Sequence, residues 1–308
     1  MKMKRLFRFL SLSAALMLAA SGCLSQTAIR EPVSPDRIGV CSWSWQLPIK
    51  DVAREMERIG VKGIHLALGP FIAPDRRHGA AEDAATLEFV KRKIAKGEWT
   101  LMCTMIGTVG EDYSTLETIR ETGGIVPDRN WEANKKIVTA GARLTQELGC
   151  KYMSTHAGFL DESNPKAFRK FVERVTWMRD ECRKYGVTLI LESGQETAED
   201  LAAFMAKVPG VGINFDPANM ILYAKGKPSE AVVVLSPWIR QVHVKDAVQT
   251  KTPGTRGAEV PWGEGEVGGD AFLEELEKQG YTGNYVVERE GGDCRRADIQ
   301  RAVRALKD

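Results

Sequence analysis

Patterned cysteine is the first thing this chain lacks. Its 308 residues include six cysteines, and the five beyond residue 36, Cys41, Cys103, Cys150, Cys182 and Cys294, show neither C-x-x-C nor zinc-type spacing. That excludes a zinc ribbon or a dithiol redox motif, and five thiols cannot all pair. Histidine is scarce, with four residues in all: His65, His78, His156 and His243. Neither charge sign dominates, since 43 basic residues face 41 acidic ones for a formal charge of +2. A chain so balanced has no basic excess with which to grip nucleic acid. Low-complexity tracts and internal linkers are missing after residue 36, so a single domain is expected from there.

What is present begins with "MKMKRLFRFLSLSAALMLAASGC". Lys2, Lys4, Arg5 and Arg8 precede an apolar stretch that ends at Ala20, followed by small residues and Cys23. This is the pattern of a secretory signal peptide whose apolar core is too short for a comfortable membrane span. The stretch AASGC resembles the bacterial lipobox, in which the cysteine is lipidated and becomes the new N-terminus. The expectation is a signal peptide over residues 1–22, lipidation at Cys23, and residence in the bacterial cell envelope, held to the membrane by that lipid. Cleavage removes four basic and no acidic residues, so Lys+Arg falls from 43 to 39 against 41 acids and the mature chain stands near −2. Residues 23–36, with two prolines and no strong periodicity, read as a tether, and residues 37–308 as the folded domain.

From Asp36 onward, short apolar runs alternate with amphipathic stretches. Strands are predicted at 38–42, 63–68, 99–106, 152–157, 187–192, 211–216, 239–245 and 284–288. Between them, stretches such as 131–149 and 164–184 bring apolar residues back every three or four positions, as one helix face requires. Gly60, Gly149, Gly186 and Gly280 fall where such helices would stop. Eight strand–helix units in about 270 residues match an α/β fold of the (β/α)8 TIM-barrel type in length and order. Alternation by itself also permits a doubly wound open sheet. Two long loops, 110–130 after the third strand and 247–269 after the seventh, would lie at the carboxyl ends of the strands, where barrels keep their chemistry.

The strand ends carry the chemistry. The run "VTLILESGQET", residues 187–197, leads straight from apolar residues into Glu192. A strand that hydrophobic is buried on both faces, and a carboxylate buried there without a partner costs several kcal/mol. Asp216 ends the sixth strand, His243 lies near the end of the seventh, and Glu288 ends the eighth. Three carboxylates and an imidazole on four successive strands would repel one another unless a cation sat between them. Mixed oxygen and nitrogen ligands suit Mn²⁺ or Mg²⁺, with Zn²⁺ or Co²⁺ compatible. Taken singly, each residue also has a plainer reading: Glu192 in a buried ion pair, Asp216 starting a turn before Pro217, His243 in the core, Glu288 in solvent.

The stretches "LESGQET" (191–197), "NFDPANM" (214–220), "VHVKD" (242–246), "WGEGEV" (262–267) and "VVERE" (286–290), in this order, resemble the sugar isomerase and epimerase branch of the xylose isomerase-like barrels. The resemblance covers roughly residues 37–308. It implies that Glu192, Asp216, His243 and Glu288 bind one divalent metal and that Glu192 and Glu288 form the acid/base pair. Proton transfer beside a sugar carbonyl passes through an enediolate, and two carboxylates can remove and return that proton. The same geometry serves epimerisation, aldose–ketose conversion, or a lyase or hydratase reaction on a 3-keto glycoside; a non-catalytic sugar-binding lipoprotein is the reading from another class. The superfamily also contains endonucleases with a histidine-rich three-metal cluster. This chain departs from them, with Asn219 where a D-x-x-H pattern would place another ligand, and some ketose epimerases keep a histidine there too.

Further substrate contacts are expected from His156 at the end of the fourth strand, His65 in the second, Lys245 two residues after His243, Asn219, and the indoles of Trp43 and Trp45 as an apolar wall. Lys245 also has the reading of an ion pair to Asp246 or a neighbour. Glu264 and Glu266 are expected to shape their loop. Phosphorylated sugars stay in the cytosol, so an exported barrel would meet free sugars, glycosides or keto sugars. A homo-oligomer is compatible with the sequence.

Overall fold

The computed structural model describes residues 31–72, 81–160, 163–252 and 254–308. The signal segment, Cys23 and His78 lie outside the described residues. Eight parallel strands close into a barrel: β1 (Ile38–Cys41), β2 (Gly63–Ala67), β3 (Thr100–Met105), β4 (Tyr152–Thr155), β5 (Thr188–Glu192), β6 (Gly212–Phe215), β7 (Ile239–Val244) and β10 (Asn284–Val287). Each expected strand is present, and closure through the pairing of β1 with β10 excludes the open sheet. The strands are buried on both faces, as in Ile190, Ile213 and Val287, so near-continuous apolar runs form them where alternation would not.

The helices wrap the outside because each offers one apolar stripe. In α6 (Pro165–Lys184), Asn164 caps the N-terminus by accepting from Ala167 N at 3.1 Å, and Pro165 takes the first helical position, where its missing N–H costs nothing. Phe171, Val175, Met178 and Cys182 then return at helical spacing and are buried against the barrel. The four glycines read as helix stops carry φ of 64° (Gly60), 73° (Gly149), 70° (Gly186) and 74° (Gly280), the left-handed region that a side chain strains to enter. α5 (Asp128–Glu147) packs beside α6 in the same manner. Among the described residues no helix is long and apolar enough to cross a membrane.

The structure differs from expectation in three places. The first long loop holds a short helix, α4 (Leu116–Thr122), begun by a reciprocal cap between Thr115 and Thr118. The second contains an antiparallel pair, β8 (Asp246–Val248) and β9 (Ala258–Val260). At the base, the segment expected as a tether already belongs to the barrel from Val33, which is buried and donates its N–H to Leu306 O at 2.8 Å.

Candidate metal centre and active site

Glu192 is the last residue of β5, Asp216 follows β6, His243 lies in β7 and Glu288 follows β10. These strands are consecutive neighbours in the barrel, so their carboxyl ends deliver four side chains to one rim. One ligand atom from each lies within 4.8 Å of the others. His243 Nδ1 faces the three acids, 3.2 Å from Glu288 Oε2, 3.6 Å from Asp216 Oδ2 and 3.7 Å from Glu192 Oε1. All four residues are buried.

Asp216 shows how the sequence builds the site. Its Oδ1 accepts from Asn219 N at 3.0 Å and caps the short helix α8 (Pro217–Leu222), so it does start a turn before Pro217. That bond fixes the carboxylate plane and leaves Oδ2 turned to the centre. Close approach of the loop after β5 makes this possible: a Cβ on Gly194 would stand 2.2 Å from Asn219 Cβ.

The donor set fits a divalent cation. Glu192 Oε2, Asp216 Oδ2 and His243 Nδ1 are buried without a hydrogen-bond partner, and such atoms are rare unless something else meets them. Carboxylate oxygens of Glu192, Asp216 and Glu288 gathered with the nitrogen of His243 are what Mg²⁺ or Mn²⁺ takes, and Zn²⁺ accepts. The field there favours positive charge. Burial pushes the His243 imidazole toward its neutral form, yet Glu288 and Glu192 raise it well above the usual histidine range.

The two candidate acid/base carboxylates are held as anions. Burial would raise Glu288, but the Lys245 ammonium and His243 keep it well below the ordinary range. Burial likewise opposes ionisation of Glu192, and His156 and His243 outweigh it. Asp216 goes the other way: burial lifts it, and Lys245 only partly compensates. Lys245 itself would lose its charge through burial were it not for Glu288, Glu290 and Asp216, which raise it. Its Nζ lies 2.8 Å from Glu288 Oε2, 3.0 Å from Glu290 Oε2 and 3.5 Å from Asp216 Oδ2.

A cavity of about 470 Å³ opens onto this centre. His156, Glu192, Asn219, Lys245, Glu288 and Trp43 line its inner end, and Tyr113, Tyr223 and Leu222 belong to its wall. Glu111, Glu259 and Glu290 outnumber Arg256 among its remaining charges. A larger groove of about 700 Å³ runs outside the barrel over α2 (Gly69–Ile72), α3 (Ala84–Ala95), α5 and α6, and holds none of the expected site residues.

Of the expected substrate contacts, His156 and Asn219 both reach the cavity and both meet Glu192 Oε1, at 3.1 and 3.2 Å. Lys245 reaches it too, paired with Glu288 and Glu290 and not with Asp246. Two readings are corrected. Trp45 is buried in the main core and does not line the cavity; Trp43 does, and its Nε1 donates to Glu288 Oε1 at 2.7 Å. The short helical turn Ser42–Trp45 rotates the two indoles apart, which strand-based reasoning does not anticipate. His65 is fully buried beneath His243, 2.9 Å from Ser154 Oγ, and does not line this cavity. Of the loop acids, Glu264 meets Arg301 and neither Glu264 nor Glu266 lines the cavity.

Sequence reasoning missed Asn214 and Gln241, both buried below the ligands. Strand parity would have found them, since each stands two residues before a ligand on the same strand. It also missed Asp246, which accepts from the backbone N–H groups of Ala247, Gly263, Gly265 and Val267 at 2.9–3.1 Å.

A closed parallel barrel with a buried, carboxylate-rich candidate ligand set at the carboxyl ends of its strands has the layout of the barrel enzymes that keep their chemistry on that face. Residues 53–308 match the family model of the xylose isomerase-like TIM barrels, and the chain belongs to that family. A xylose isomerase domain protein from Planctomyces limnophilus is 27% identical, with a TM-score of 0.75 over 90% of this chain and 96% of that one. A xylose isomerase-like TIM barrel protein from Mycobacterium smegmatis in complex with magnesium is 19% identical, with a TM-score of 0.63 over 88% and 98%. A 3-keto-D-glucoside 4-epimerase from E. coli is 15% identical, with a TM-score of 0.62 over 88% and 98%. No curated protein sequence matches.

Proposed function

We propose that this protein is a divalent-metal-dependent isomerase or epimerase that moves a proton beside the carbonyl of a free, non-phosphorylated sugar or keto sugar. One observation carries the reading: Asp216 Oδ2 and His243 Nδ1, both buried without a hydrogen-bond partner, converge with carboxylate oxygens of Glu192 and Glu288 at the mouth of the barrel. A bound cation there supplies electrostatic stabilisation of the enediolate charge. Glu192, Asp216, His243 and Glu288 would hold it.

The chain's own groups do the rest. Glu192 and Glu288, both kept ionised, stand ready as bases, and each can return the proton it takes. His156 and Asn219, both within reach of Glu192, are placed to bind a hydroxyl of the substrate and to orient that carboxylate. Lys245 and Trp43 hold Glu288 from two sides. The acidic surplus around the cavity disfavours a phosphate group. The N-terminal segment, read as a lipoprotein signal, is consistent with a substrate met outside the cytosol.

A second reading is a lyase or hydratase acting on 3-keto glycosides. The cavity favours it: Tyr113, Tyr223 and Leu222 extend the wall beyond the ligand cluster, leaving room for an aglycone, and the E. coli neighbour acts on a 3-keto-D-glucoside by its description.

Metal-loaded protein incubated in D₂O with ketoses, aldoses and 3-keto glycosides tests the reading. Deuterium is expected at the carbon beside the carbonyl of at least one of them, with Glu192→Gln and Glu288→Gln each slowing exchange by about 10²–10⁴-fold. Release of the aglycone with that exchange selects the lyase. No exchange with any of these sugars would leave a sugar-binding protein.

A further inference from the structure

Five polar side chains fill the middle of the barrel under the ligand cluster: His65 from β2, Ser154 from β4, Asn214 from β6, and Gln241 and His243 from β7, each at most 1% exposed. Inward layers of such barrels are normally apolar, and a buried polar group is tolerated only when its hydrogen bonds are made. Four of these residues form a closed ring of contacts. His243 Nε2 lies 3.0 Å from Asn214 Nδ2, and Asn214 Oδ1 accepts from Gln241 Nε2 at 3.1 Å. Gln241 Nε2 also lies 3.0 Å from His65 Nδ1, which lies 3.2 Å from His243 Nε2.

Donors and acceptors cannot alternate perfectly around this ring. Asn214 presents opposite atoms to its two neighbours, whereas Gln241 and the two imidazoles each present a single atom. With neutral side chains one contact is always between like partners. A ligating Nδ1 decides which one. Its lone pair must be free, so the ring proton of His243 sits on Nε2 and needs an acceptor.

We propose that Asn214 is the positioning residue for the metal centre: its Oδ1 accepts from His243 Nε2–H and fixes the tautomer that leaves Nδ1 free to ligate. As placed, Asn214 Nδ2 faces His243 and Gln241 Nε2 faces Asn214 and His65; a half-turn of each amide exchanges its oxygen and nitrogen in place, and the proposed ring takes both half-turns. In this orientation Asn214 Nδ2–H donates to Gln241 Oε1, His65 Nδ1–H donates to the same oxygen, and Ser154 Oγ–H donates to His65 Nε2 at 2.9 Å. The like pair is then the two imidazole N–H groups, the longest contact of the ring. Cys41 sits beside both, its Sγ 3.7 Å from His243 Nε2 and 3.9 Å from His65 Nδ1, a weak acceptor shared by the two donors.

The inference rests on the four ligands being a metal centre, and calorimetric titration with Mn²⁺ in the absence of any sugar tests both. Asn214→Leu removes the acceptor and is expected to weaken binding by about 10–100-fold. Asn214→Asp presents acceptors on both sides, lets Gln241 donate to both neighbours, and relieves the like pair; its affinity is expected to equal or exceed that of the wild type. Two-bond ¹H–¹⁵N correlations of the Mg²⁺-loaded wild type should show His243 protonated at Nε2. Wild-type affinity in Asn214→Leu, equal losses in both variants, or a proton on Nδ1 would overturn the positioning role and leave the metal centre standing. A second Mn²⁺ equivalent lost in Cys41→Ala would overturn it as well, by making Cys41, His65 and His243 a site of their own. No binding by the wild type would overturn the metal centre and the positioning role together.

Discussion

At the scale of single residues, the site is a set of buried charges whose states are decided by neighbours and not by solvent. Glu196 shows the opposite case four residues beyond Glu192. It is 8% exposed, meets the backbone N–H of Gly194 at 3.3 Å, and is pushed up to about 7 by burial, with that hydrogen bond only partly offsetting it. A carboxyl whose pKa is raised in the fold binds a proton more tightly folded than unfolded, so its contribution is full below the unfolded value near 4.5 and is lost as pH rises through about 7. Stability should therefore fall between those values, by up to about 3 kcal/mol for this group. Glu196→Gln keeps the acceptor and removes the titration. Urea unfolding should find it equal to the wild type at about pH 4 and more stable by about 1–3 kcal/mol at about pH 8; equal stability at both pH values would show that Glu196 ionises freely. Glu192, Asp216, His243 and Glu288, the residues of the candidate metal cluster, could be picked out in the sequence because each interrupts or ends an apolar strand. Which of Trp43 and Trp45 faces the cavity, and that His65 lies beneath His243, was not legible, since those placements depend on the turn after β1 and on closure of the barrel.

At the scale of elements, the carboxyl-end face is assembled by two acids that bind backbone. Glu259 on β9 accepts from Arg289 Nη1 at 2.7 Å and from the N–H groups of Glu290 and Gly291 at 2.8 and 3.1 Å. It thereby holds the β8–β9 pair against the residues that follow Glu288. Asp246 gathers four N–H groups of its own element and of the 261–267 loop, and Gly265 is required there because a Cβ would stand 2.1 Å from Asp246 Oδ1. All eight strands could be read from apolar runs between helix stops. This packing could not, because the partners are backbone groups that every residue carries and leave no trace in composition. Asp246→Ala strips the charged acceptor from four amides, three of them in the loop, and is expected to cost about 2–4 kcal/mol. The cost should be accompanied by protease cleavage within 261–267, whereas Asp246→Asn, which keeps one acceptor oxygen, should lose about half as much. Unchanged midpoints in urea and an intact loop would show that the contacts contribute nothing to its order.

At the scale of the whole molecule, the barrel concentrates its unfavourable electrostatics at one end. Glu192, Asp216 and Glu288 converge there with two imidazoles and one ammonium, and the polar layer around His65 and Asn214 displaces apolar side chains from the barrel's middle. Folding must carry that burden on the apolar contacts between strands and helices, which are extensive, whereas a cation at the ligand cluster would remove it directly. A species that binds the folded chain and not the unfolded one stabilises by about 2.7 kcal/mol at a hundredfold excess over its dissociation constant. For a chain of this size each kcal/mol moves the melting temperature by about 2–4 °C. Saturating Mg²⁺ or Mn²⁺ should therefore raise Tm by about 5–10 °C over protein stripped with a chelator. The rise should saturate with concentration as one site per chain. Asp216→Asn removes one member of the cluster together with a carboxylate that burial pushes toward its protonated form, so its chelated form should melt at or above the stripped wild type while its metal-dependent rise is largely lost. The sign of that pair of changes separates a specific centre from general screening. Screening by a divalent salt would raise both proteins alike, and CaCl₂ would then serve as well as Mg²⁺ or Mn²⁺.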